Sequence, residues 1–176
     1  MPTIDELRHE LTREAIACLE YGIVKIEHCL GQLDDQQIWW RYHDEMNAIG
    51  NLIMHLSGNL RQWIIAGIGD LKDIREREKE FTDRSIVPKE KLIALLTNTV
   101  NEAIKTLQDV ATAGLLESRL IQGHQVTKMH AMLHSITHYQ GHVQEIIHIT
   151  RAQLASDYKF QWQPKTKAEG APDALS

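Results

Sequence analysis

Ten histidines occur in this 176-residue chain, and six of them lie between His124 and His148. His130, His134, His138 and His142 recur at every fourth position. In a helix, residues i and i+4 lie one above the other on one face, with Cβ atoms about 5–6 Å apart. Two imidazoles at that spacing can share a metal ion at ~2.0–2.1 Å per nitrogen. A pair from one helix leaves the ion under-coordinated, because structural Zn²⁺ takes four ligands and catalytic Zn²⁺ takes three plus water. A second segment must therefore contribute. The candidate is His55, the only histidine of its helical segment, in Asn51-Leu52-Ile53-Met54-His55-Leu56-Ser57-Gly58-Asn59.

Helical geometry groups these residues into stripes. At 100° per residue, Asn51, His55, Asn59 and Gln62 fall within about 60° of one another, and His134, His138, His142 and Glu145 within about 80°. Each stripe is offset from the apolar arc of its own helix, by roughly 120° for His55 and nearly 160° (about) for His138. Two readings follow. A stripe opposite the core is ordinarily a solvated face, and His55 at the edge of its arc can be an inert, hydrogen-bonded histidine. Alternatively the last helix is covered on both sides, as Ala131, Ile146 and Ile149 near its histidine side suggest, and a metal lies in a cleft between two helices. Glu145 could fill an open metal position, orient a ligand, act as a base, or be a surface carboxylate. His130 and His134 read as flanking residues.

Four helical segments position these residues. The first covers residues 3–30, with Ile4, Leu7, Leu11, Ala15, Cys18, Gly22, Ile26 and Cys29 at spacings of three and four, and Gly31 closes it. A connector, residues 32–46, holds Trp39, Trp40 and Tyr42. The second helix spans residues 47–68, with an apolar arc of Ile49, Leu52, Ile53, Leu56, Leu60, Trp63 and Ile64. Residues 70–87 are dense in charge and almost without apolar period, which predicts a solvated loop and a long crossover. Pro88 opens the third helix, which carries Leu92, Leu96, Val100, Ala103, Leu107 and Val110. Gly114 and Gly123 bracket a short irregular or extended piece. Thr127 is the N-cap of the last helix, residues 127–155. This pattern predicts an all-α four-helix bundle over residues 1–163 and a polar, disordered tail over 164–176.

Composition narrows the function classes. A net charge of −5 gives no electrostatic footprint for nucleic acid. No apolar run approaches the ~20 residues of a membrane span, and the charged first ten residues do not read as an export signal. Cys18 and Cys29, about 16 Å apart along one helix, cannot pair with each other within the chain, which fits a reduced, cytoplasmic protein. A di-iron carboxylate bundle needs two Glu-x-x-His motifs, and only Glu6-Leu7-Arg8-His9 fits. No phosphate-binding glycine loop or nucleophile elbow is present.

Asn47-Ala48-Ile49-Gly50-Asn51-Leu52-Ile53-Met54-His55-Leu56-Ser57-Gly58-Asn59, His138-x-x-x-His142-Val143 and Arg151, in that order and spacing, resemble the DinB-like superfamily. The nearest pattern is its uncharacterised subfamily with H-x-x-x-H-V-G-Q-I on the last helix. The resemblance covers most of the chain. It implies a four-helix bundle, often a homodimer, in which His55, His138 and His142 bind a divalent metal, Zn or Ni by preference. One departure is Gln144-Glu145, where the subfamily has Gly-Gln. The resemblance further permits a metal-dependent thiol S-transferase, acting on a low-molecular-weight thiol, or a hydrolase; Glu145, which departs from the family pattern, is a candidate catalytic base on its position alone. The alternative is a non-catalytic metal-binding or stress-response protein whose metal and dimer interface are structural.

Overall fold

A computed structural model describes residues 3–82, 85–110 and 114–162, so the tail expected over 164–176 lies outside the described residues. Helix α1 (Ile4–Leu30) starts where Thr3 and Glu6 cap each other reciprocally. The short α2 (Asp35–Ile38) is capped in the same way by Asp34 and Gln37. Helix α3 (Ile49–Leu60) runs on into a π-helical turn (Arg61–Ala66). A further short helix, α4 (Arg77–Thr82), precedes α5 (Lys89–Val110). A two-stranded antiparallel hairpin, β1 (Ser118–Ile121) and β2 (His124–Thr127), leads directly into α6 (Lys128–Leu154).

The four long helices pack in pairs: α1 on α5 and α6, and α3 on the same two. The core between them holds Leu19, Ile26, Leu52, Leu56, Leu96, Val100, Tyr139 and Val143. Gly22 lets α1 and α6 approach closely, since a Cβ there would collide with the Tyr139 ring. The chain is thus mostly helical, as its periodicity predicts. Thr127 caps α6 as expected, its Oγ1 accepting from the His130 N–H at 3.1 Å. None of its helices, among the described residues, is long and apolar enough to cross a membrane. Cys18 and Cys29 are both free.

One expectation sharpens and one changes. Residues 114–123 belong in part to a hairpin, turned at Gln122 and Gly123, both with positive φ (51° and 79°), the conformation of a two-residue hairpin turn. Strands of four residues are too short for alternation to stand out. The larger correction concerns residues 70–87, which are not simply a solvated loop. They carry α4, and they bury Glu80 (8% exposed) and the Arg75 side chain (3%). The cause lies on α3, whose polar stripe is the surface this crossover covers. Asn51 donates to the Glu80 carbonyl at 2.9 Å, and Gln62 accepts from Arg75 at 2.8 Å and donates to Asp73 at 2.7 Å. Asn59 is covered from the other side, accepting from Ser135 of α6 at 2.8 Å. The polar residues opposite the apolar arc of α3 are satisfied by protein groups, as buried polar groups must be.

Candidate metal centre

His55 projects from α3, and His138 and His142 from successive turns of α6. One ring nitrogen from each lies within 4.8 Å of the other two. His55 and His138 approach most closely, with their Nε2 atoms 2.8 Å apart. Three nitrogens bound to one ion at ~2.0–2.1 Å stand roughly 3.4 Å apart in tetrahedral geometry. That separation lies between the closest pair and the outer bound of the cluster, so small ring rotations would accommodate an ion.

The far sides of two rings are fixed by carboxylates. His55 Nδ1 lies 2.9 Å from Glu80 Oε2, and His142 Nδ1 lies 2.6 Å from Glu145 Oε2. An ionised carboxylate only accepts, so each Nδ1 carries the proton and each Nε2 presents its lone pair. This is the carboxylate–histidine arrangement that orients metal ligands. Glu80 is in turn gripped by Arg75, whose Nε donates to Oε1 at 2.7 Å and Nη2 to Oε2 at 2.8 Å. Such bidentate pairs are short and strong. Gly58 makes room for them, because a Cβ there would collide with the Glu80 carboxylate and crowd Arg75. Phe81 lies against the His55 ring, centroids 4.8 Å apart.

The electrostatics keep the cluster ready for a cation. Burial, then the adjoining His142 and His55, lower the His138 pKa to about 4, so its imidazole is neutral at neutral pH. Burial alone would raise Glu80, but the hydrogen bonds from Arg75 and His55 outweigh it and hold the carboxyl below its ordinary range. Three imidazoles, two of them backed by carboxylates, make a ligand set, and its all-nitrogen donors suit zinc, nickel, copper or iron.

The remaining candidates fall elsewhere. His130 and His134 are exposed and stack along α6 with ring centroids 6.1 Å apart. His134 rests on Trp63 at 4.2 Å and stacks 6.2 Å from His138. Glu145 accepts the bond from His142 Nδ1, on the side of the ring away from Nε2. Sequence reasoning missed Glu80 and Arg75, which sit in a charge run without apolar period. Their one sequence signal is Gly58, a glycine in a helix interior, which marks a close approach.

Helices that bring three imidazoles from two of their number to one point define a helical protein with a candidate histidine metal centre. Residues 7–167 match the family described as Protein of unknown function (DUF1572), and the chain belongs to that family. No curated protein and no solved structure matches the chain.

Proposed function

We propose that this protein is a DinB-like four-helix bundle that holds one divalent metal ion, zinc or nickel by preference, through His55, His138 and His142. The observation that carries this reading is the convergence of three imidazoles, two of them with Nδ1 bonded to a carboxylate and Nε2 left for a ligand. Packing of α1, α3, α5 and α6 around one core supports the bundle, and the family match over most of the chain supports the DinB-like assignment.

Bound there, a divalent ion would supply Lewis acidity and lower the pKa of a coordinated water or thiol. The protein's own part is to keep His138 neutral and the rings of His55 and His142 oriented by their carboxylates, with His142 partly exposed at 21%. We read the site as that of a metal-dependent transferase using a low-molecular-weight thiol, or a hydrolase, in a cytoplasmic homodimer. Glu145 serves this site by holding His142, in preference to acting as a base. Burial of His55 favours a second reading, a structural metal without turnover.

Elemental analysis of the purified protein tests the metal. One equivalent that is lost in His55→Ala and His138→Ala supports the site, and a wild type that stays metal-free after incubation with Zn²⁺ and Ni²⁺ overturns it. Turnover of thiols with electrophiles, or of esters, by the loaded protein would then separate enzyme from scaffold.

A further inference from the structure

Among the described residues, the crossover between α3 and α5 contributes no ligand to the three-histidine cluster, yet it delivers a buried ion pair to the back of one. Glu80 and Arg75 are both almost wholly removed from water. Burying a charged pair is costly unless the geometry is good and the other polar atoms are satisfied. Here the geometry is bidentate, Arg75 Nη1 is bonded to Gln62, and the remaining reach of Glu80 Oε2 is spent on His55 Nδ1. Arg75 Nη2 also lies 3.1 Å from His55 Nδ1. With His55 Nδ1 protonated both groups are donors, and they share one acceptor, Glu80 Oε2, at 2.8 and 2.9 Å. The carbonyl of Glu80 is tied to Asn51, one turn before His55 on α3. The carboxylate is thus located from both ends, by main chain and by side chain.

We propose that Glu80, clamped by Arg75, is a positioning residue for His55, so that the crossover is a working part of the metal centre. This rests on the metal reading above. Glu80 fixes His55 as the Nδ1–H tautomer and strengthens its Nε2 as a donor. A consequence follows for His138. Its Nε2 faces His55 Nε2 at 2.8 Å, and with His55 unprotonated there, His138 must be the donor and carry its proton on Nε2. An ion binding at both Nε2 atoms would leave the His55 tautomer as it is and move the His138 proton to Nδ1. Glu145 supports His142 in the same manner, but it is 41% exposed and, among the described residues, no guanidinium grips it, so its hold is weaker.

The test uses the full chain with Zn²⁺ as probe. Ring ¹⁵N–¹H correlation spectra of the wild type should show His55 as the Nδ1–H tautomer before and after loading, and His138 changing from Nε2–H to Nδ1–H. Competition titrations against a chelator should show Glu80→Gln weakening Zn²⁺ binding by about 10–100-fold, and Glu145→Gln by about 10-fold or less. The wild-type spectra need no variant, so they decide the matter even if Glu80→Gln folds poorly. A folded Glu80→Gln with wild-type affinity, or an Nε2–H tautomer of His55 in the zinc-free wild type, overturns the proposal and leaves the metal reading standing. A wild type that binds no Zn²⁺ overturns both.

Discussion

Two pairs of histidines on α6 share residue type, helix and spacing, and differ in everything that surrounds them. His138 and His142 face His55 on α3, half-buried, and His142 has a carboxylate behind it. His130 and His134 face solvent, with Trp63 beside the second. The four-residue spacing is therefore a permission and not a site. What converts it is the element opposite: a histidine at the right height and a buried carboxylate to hold it.

The largest effect should separate the two pairs directly. His138→Ala or His142→Ala is expected to weaken Zn²⁺ binding by more than about 100-fold, beyond what loss of a supporting partner costs. His130→Ala and His134→Ala together should change it by less than about threefold, under 1 kcal/mol. Competition titration of the four variants checks this, and comparable losses in both pairs would erase the distinction.

A smaller effect contrasts two glycines. Gly58→Ala forces a methyl group against Glu80 and Arg75, and Gly22→Ala forces one against Tyr139. Each should destabilise the fold by about 1–3 kcal/mol through overpacking, or roughly 3–10 °C in melting temperature for a chain of this size. Only Gly58→Ala should also weaken metal binding, because only it displaces the group behind His55. Thermal melts beside zinc titrations check both halves.

The last effect, comparable in size to the glycine substitutions, is a pH dependence of the metal-free protein. His138 is lowered from an ordinary 6.5 to about 4, so between those values the unfolded chain binds the extra proton. The stability this neutral imidazole contributes is complete above pH 6.5 and is lost as pH falls toward 4. For a half-buried ring it amounts to about 2 kcal/mol after solvent screening. Melting temperatures between pH 7 and pH 4 should fall less steeply in His138→Ala than in the wild type.

How far the sequence carries can be judged residue by residue. The four long helices, the Thr127 cap and the meeting of His55 with His138 and His142 follow from periodicity, capping chemistry and the family resemblance. What is not legible is the environment. The stripe of Asn51, His55, Asn59 and Gln62 has the right angular width, but the same pattern describes a wet face and a docking face. Which one it is depends on Glu80, 25 residues away in sequence from His55. The charges of residues 72–80 look alike in sequence. Only burial singles out Arg75 and Glu80 from Lys79 and Glu76, whose ion pair is exposed.

The central claim is that one ion sits among three imidazoles from α3 and α6. A crystal structure of the full chain grown with Zn²⁺, with anomalous data at the zinc edge, tests it most directly. A single strong peak is expected about 2.0–2.1 Å from Nε2 of His55, His138 and His142, with Glu80 and Glu145 still bonded to the far nitrogens. A peak at His130 and His134, or no peak between the three imidazoles, would contradict it.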